Sequence, residues 1–206
     1  MSPTLEPLSR GALAIVPEVC RDCVWWQSHG RRETSKERWM EQAEDVWGAW
    51  GTVYRDDDGR VLGSMQYGPA ALFPRSRDLP AGPPSEDAML VTCTYVADPS
   101  SPWVLQSLFL SAIGEARERQ IEALEAFAYE DLDDDGSQSR FISHRTIFPP
   151  DLLSDLGFFA LRSVACVQLM RLELGGLETA PERVGLGFVR GIKHFFSPAP
   201  VPAPRP

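Results

Sequence analysis

Met89-Leu90-Val91-Thr92-Cys93-Thr94-Tyr95-Val96-Ala97-Asp98-Pro99-Ser100-Ser101-Pro102-Trp103 is the stretch on which the fold turns. Its front half, Met89 to Val96, is apolar or β-branched at nearly every position, as in a strand buried on both faces. Ser101 then offers an N-cap oxygen and Pro102 a pre-set first helical residue. Beyond them Leu105, Leu108, Phe109, Ala112, Ile113 and Ala116 recur at helical spacing. The stretch predicts a buried strand feeding a helix from about Trp103 to Gln120. Arg117 and Arg119 stand at its C-terminal end, where the helix dipole favours cations.

Working outward, Ala12 to Val16 predicts a first strand ended by Pro17, with residues 1–11 a flexible N-terminus. Thr34 or Ser35 caps a helix carrying Trp39, Ala43, Val46, Trp47 and Trp50 on one face. Thr52–Arg55 and Arg60–Tyr67 flank Asp56-Asp57-Asp58-Gly59 as a β-hairpin. Residues 68–87 hold five prolines and read as an irregular excursion, functional or mobile. Downstream, Ile121–Tyr129 predicts a strand and Glu130–Arg140 an acidic loop. Asp151–Leu156 predicts a short helix stopped by Gly157, and Phe158–Leu174 a long strand, bent or split into a hairpin. The order β-α-β-β-β-α-β-α-β describes an α/β (α+β) domain over residues 12–174, a mixed sheet with helices on its faces. Residues 175–206 form a C-terminal extension.

Composition removes several classes of function. Of 206 residues, 43% are hydrophobic and 24% charged, which fits a packed globule and not a disordered chain. No apolar run is long enough to span a bilayer, and no basic flank followed by an apolar core opens the chain; the expected location is cytoplasmic. A net charge of −9 argues against a nucleic-acid binder, which needs clustered cations. Only two lysines occur, Lys36 and Lys193. Cys20 and Cys23 have metal-ligand spacing, but no second close pair completes a site, and Cys93 and Cys166 read as small buried residues. No metal is expected. Asp131-Leu132-Asp133-Asp134-Asp135-Gly136 opens like a calcium loop, yet Ile142 stands at the twelfth place, so a solvated acidic loop is expected. His29, His144 and His194 lie far apart and near no nucleophile motif.

The element order resembles the GNAT superfamily, the acyl-CoA-dependent N-acetyltransferases. Two segments carry the likeness. Leu90 to Val96 with Pro99 and the following helix resemble the family's fourth strand and cofactor-binding helix. Asp151-Leu152-Leu153-Ser154-Asp155-Leu156-Gly157-Phe158 and then Leu169-Met170-Arg171-Leu172 resemble its closing helix, Gly-Phe turn and final strand. Cys20 to Trp26 and Ala71-Leu72-Phe73-Pro74 are similar to an actinobacterial subgroup.

The resemblance implies acetyl-CoA as cofactor and an amine, on a small molecule or a protein, as acceptor. The strand beyond Thr92 (Cys93, Thr94, Tyr95, Val96) would receive the pantetheine, and the amide near Tyr95 or Val96 would polarise the thioester carbonyl. Amides of Ser101, Trp103 and Val104 would hold the pyrophosphate at the helix N-terminus. The family's glycine-rich loop is missing, however. Asp98 to Ser107 contains neither Gly nor Arg, Pro102 lacks an amide hydrogen, and Asp98 adds negative charge. Trp103 either occludes the pocket or joins the core. Glu125 is the base candidate if buried, and otherwise faces solvent. The family's tyrosine near the closing helix is replaced by Leu153, which leaves Tyr95 and Tyr129 as alternatives. His144 and Arg145 could meet phosphate.

In the extension, Val184, Phe188, Ile192 and Phe195 repeat at three- and four-residue intervals among Arg183, Arg190, Lys193 and His194. They describe a short basic amphipathic helix for a protein partner, a membrane surface or the domain itself, followed by a proline-rich tail. Two functions stay open: an N-acetyltransferase, or an inactive GNAT-shaped binding protein acting through its altered cleft or its tail. A homodimer is also left open.

Overall fold

A computed structural model describes residues 4–9, 11–29, 34–98, 100–130 and 147–175. The acidic loop from Asp131, His144, Arg145 and the tail motif beyond Gly175 lie outside the described residues.

Among the described residues, seven strands form one sheet in the order β1-β2-β3-β4-β5-β7-β6. They are β1 (Thr4–Pro7), β2 (Gly51–Arg55), β3 (Val61–Pro69), β4 (Ala88–Val96), β5 (Ala123–Tyr129), β6 (Phe159–Val164) and β7 (Val167–Glu173). Every pairing is antiparallel except β4 with β5. Among the described residues the helices are α1 (Glu18–Arg21), α2 (Lys36–Trp47), α3 (Pro102–Glu118) and α4 (Pro150–Asp155). This is the mixed, mostly antiparallel α/β arrangement expected. Among the described residues, no helix is long and apolar enough to cross a membrane.

Each face of the sheet carries its own core. Helix α3 lays Val104, Leu108, Phe109, Ala112 and Ala116 on Met65, Met89, Val91, Leu124 and Ala126, with Leu153 and Leu156 of the α4 region closing the layer. Phe109 stands between Phe148 and Phe158, at centroid distances of 5.4 and 6.0 Å. The other face buries Trp26, Trp39, Trp50, Phe73, Leu90, Phe127 and Leu169. Ser35 caps α2 by accepting a hydrogen bond from the Arg38 amide. Trp39 Nε1 donates to the Leu72 carbonyl at 2.8 Å and so fastens α2 to the proline-rich segment.

Four local readings are corrected. Residues 4–8 are not a loose end, because Thr4–Pro7 pairs with β2 and Leu8 exchanges backbone hydrogen bonds with Trp50 and Gly51. Ala12–Val16 is not a strand: Ala12–Ala14 forms a 3-10 turn. Its two buried residues, Ala12 and Val16, are four apart, a helical interval. Val46 is 68% exposed and does not join the buried face of α2. The proline-rich excursion is ordered by two 3-10 turns, Ala70–Leu72 and Pro74–Arg77, which bury Leu72, Phe73 and Ser76.

Candidate active-site cleft

The parallel pairing of β4 and β5 runs from Ala88 opposite Ala123 to Val91 opposite Ala126 and then stops. The cause is local to β4. Between Tyr67–Val91 and Met65–Thr94, β3 advances two residues while β4 advances three. Thr92 and Cys93 therefore form a β-bulge against Gln66, which adds twist and turns β4 away from its neighbour. Beyond the bulge, β4 follows β3, and β5 follows β7 to Tyr129. The edge of β5 left behind is taken by Phe148, whose amide donates to the Phe127 carbonyl at 3.1 Å and whose carbonyl accepts from the Tyr129 amide at 3.0 Å.

Register separates the side chains of the split. Thr94 lies opposite Met65, on the α3 face, and Tyr95 lies opposite Ser64, on the other face with Cys93 and Tyr129. Thr94 Oγ1 is buried and has no hydrogen-bond partner among the described residues. Ser76 Oγ and the indole nitrogens of Trp26, Trp47 and Trp50 are likewise buried without a hydrogen-bond partner among the described residues. Desolvation pushes the Cys93 thiol up to about 12, which leaves it a neutral lining group at neutral pH.

The α3 N-terminus differs from an anion cradle. The Asp98 carboxylate accepts hydrogen bonds from the Ser100 amide at 2.9 Å, the Ser100 hydroxyl at 2.7 Å and the Ser101 hydroxyl at 3.0 Å. Those donors, the Ser100 hydroxyl foremost, hold the Asp98 carboxyl below its ordinary 3.8. The Ser101 amide donates to the Asp98 carbonyl and the Val104 amide to the Ser101 carbonyl, so two of the three sequence-assigned phosphate donors already have acceptors. Ser101 makes no side-chain cap. Trp103 is 44% exposed and stands edge-on to Tyr54 of β2 at 5.5 Å, so it neither fills the split nor enters the core.

Glu125 lies on the Cys93 face, but below the split. It is fully buried, not solvent-facing. Its Oε1 accepts from Arg171 at 3.1 Å and its Oε2 from the Ser85 amide at 2.8 Å. Arg171 also grips Asp87 at 2.8 and 3.0 Å and Glu173 at 2.7 Å. The geometry makes Glu125 an anchor joining β5, β7 and the proline-rich segment. Leu153 is buried in the α3 core. The structure thus brings Cys93, Tyr95 and Tyr129 to one face of the split and leaves Glu125 apart from them.

One group escaped sequence reading. Lys36 is 3% exposed. Its Nζ donates to Gln66 Oε1 at 3.2 Å, an atom shared with Gln27 Nε2 at 3.0 Å, and lies 4.7 Å from the Trp39 ring centroid. Burial pulls its pKa below 10.5, opposed by the charges of Cys93, Cys23 and Cys20. The signal was available in composition: a lysine three residues from Trp39 in a chain whose basic residues are otherwise arginine except for Lys193. A lowered folded pKa means that the unfolded chain binds the extra proton. Stability from this group is complete above 10.5 and falls as pH drops. Lys36→Met should therefore raise stability by roughly 1 kcal/mol at neutral pH, the cost of a buried polar group less its cation–π contact. Denaturant unfolding at rising pH should show that advantage shrinking towards pH 10.5.

Among the described residues, no group of three or more His, Cys, Asp or Glu is arranged to hold a metal ion. His29 pairs with Asp78 at 2.8 Å on the surface.

A seven-stranded sheet split between its parallel strands, with a bulge at the split and a helix leading away, is the architecture of an acyltransferase fold. Solved structures agree. A GCN5-related N-acetyltransferase from Kribbella flavida is 17% identical, with a TM-score of 0.50 over 84% of this chain and 98% of that one. An N-acetyltransferase from Staphylococcus aureus Mu50 is 15% identical, with a TM-score of 0.50 over 84% and 99%. The yncA protein of Salmonella typhimurium, solved with its cofactor acetyl-CoA, is 15% identical, with a TM-score of 0.50 over 89% and 99%. No protein-family model matches the chain, and no curated protein matches it in sequence. The chain has the GNAT fold.

Proposed function

We propose that this chain is an N-acyltransferase of the GNAT type, moving an acyl group from an acyl-CoA thioester directly to an amine, with a weak hold on the cofactor's diphosphate. One observation supports it above the rest: β4 bulges at Thr92–Cys93, parts from β5 after Val91 and carries the orphaned Thr94 hydroxyl beside the split. When bound, the cofactor supplies an activated acyl group. Cys93 to Val96 would line its pantetheine arm, and the amide near Tyr95 or Val96 would polarise the acyl carbonyl. Tyr95 and Tyr129 are the groups on the acceptor face able to hand on a proton. The net charge of −9 favours a cationic amine as acceptor.

The second reading, a GNAT-shaped binding protein without chemistry, draws support from Glu125, both of whose oxygens are engaged, and from the burial of Leu153. Calorimetry with acetyl-CoA and with acetyl-pantetheine separates the two. The acyltransferase reading expects both to bind, with affinities within about tenfold, or about 1.4 kcal/mol, of each other. Heat from neither ligand would leave only the binding protein. Acetyl-CoA bound more than about a hundredfold tighter would restore a working diphosphate grip.

A further inference from the structure

Strand β6 is exposed at every residue, with Phe159 at 48%, Leu161 at 39% and Val164 at 46%. It is the last strand of the sheet, and among the described residues it pairs only with β7. An apolar edge strand templates aggregation unless it is covered, charged or cut short. The only charged side chain of β6, Arg162, donates to the Pro83 carbonyl. Register sets Phe159 beside Arg171 and Val164 beside Val167, on the sheet face of the Trp26–Phe127 core.

We propose that residues 184–195 of this same chain cover β6, setting Val184, Phe188, Ile192 and Phe195 against Phe159, Leu161 and Val164. Three observations favour this occupant. First, the described chain ends at Gly175, four residues past Arg171, which lies opposite Phe159 at the start of β6. The nine residues from Gly175 to Val184 reach up to about 30 Å, while six residues of strand span about 20 Å. Second, apolar residues recur every three or four positions from Val184 to Phe195. Third, charge is complementary: residues 176–206 hold four Arg and Lys against two Glu, leaving 16 basic against 27 acidic residues in 1–175. Tethering gives the tail a millimolar effective concentration, which a second copy of the chain does not reach at working dilution. The proposal is independent of any catalytic role.

The test is hydroxyl-radical footprinting of the full chain, read at Phe159 and Leu161 by mass spectrometry, with molar mass from light scattering. The expected result is a monomer in which Phe159 and Leu161 react several-fold less than in the double variant Phe188→Asp, Ile192→Asp. Phe159→Ser should reciprocally raise labelling at Phe188, and circular dichroism checks that the variants stay folded. Equal labelling of Phe159 and Leu161 in wild type and double variant overturns the proposal. So does protection that grows with protein concentration alongside a dimer mass, which would make the occupant a second copy.

Discussion

Replacing Arg171 with methionine should cost about 3–5 kcal/mol, enough to unfold a large share of the molecules, because it strands a buried carboxylate. In the native protein, among the described residues, Arg171 is the one cation bound to Glu125, Asp87 and Glu173. Glu125 is fully buried and would keep only the Ser85 amide. Asp87 and Glu173 are 42% and 53% exposed, so water replaces the arginine for them at little cost. Adding Glu125→Gln should recover at least half of the loss, since a neutral amide can still accept from Ser85 without carrying buried charge. The pH dependence is a second check. Its hydrogen bond with Arg171 holds Asp87 below 3.8, so that contribution is present above 3.8 and is lost as pH falls through the lower folded value. The gap between wild type and variant should narrow in acid. Urea unfolding of the three proteins measures both effects; equal loss in the single and double variants would show that the cost is lost packing.

How far the sequence foretold this varies with the reach of each interaction. The β4–α3 passage was legible because its signals are local: an unbroken apolar run, then serine and proline at a helix start. The Asp56–Gly59 turn was legible likewise, its Asp56 carboxylate accepting from the Asp58 and Arg60 amides. Strand β1 was missed because it is four residues long, mostly exposed, and held by backbone pairing to a strand nearly fifty positions on. No side-chain period reports such an edge. For Glu125 the sequence left burial open. Alternation of faces predicts exposure only when one face of a strand is wet, whereas β5 is buried from Ala123 to Ala128. Its partner lies 46 residues away on β7, beyond any local pattern. The split was readable as part of the family resemblance, but the bulge that opens it was not. It depends on how three residues of β4 match two of β3.

Asp98 sets the second large effect, which rests on the proposed function. Asparagine there should raise affinity for acetyl-CoA on the order of tenfold while leaving acetyl-pantetheine unchanged. Asn Oδ1 can still accept from the Ser100 amide and hydroxyl, and Asn Nδ2, standing where the second oxygen was, can donate to the Ser101 hydroxyl, so the loop keeps its turn. What disappears is a negative charge at the mouth of a helix whose dipole would otherwise attract phosphate. On the proposed function the pantetheine arm would lie along β4, beyond this charge, and should not register the change. Titrating wild type is the poorer test, because its serine donors hold the Asp98 carboxyl below 3.8. Calorimetry on both proteins at low and high salt gives the answer, since a gain that comes from charge shrinks as salt rises. Unchanged acetyl-CoA affinity would move the obstacle from Asp98 to the missing glycines and the blocked amide of Pro102. A gain shared equally by acetyl-pantetheine would place the effect in the split itself.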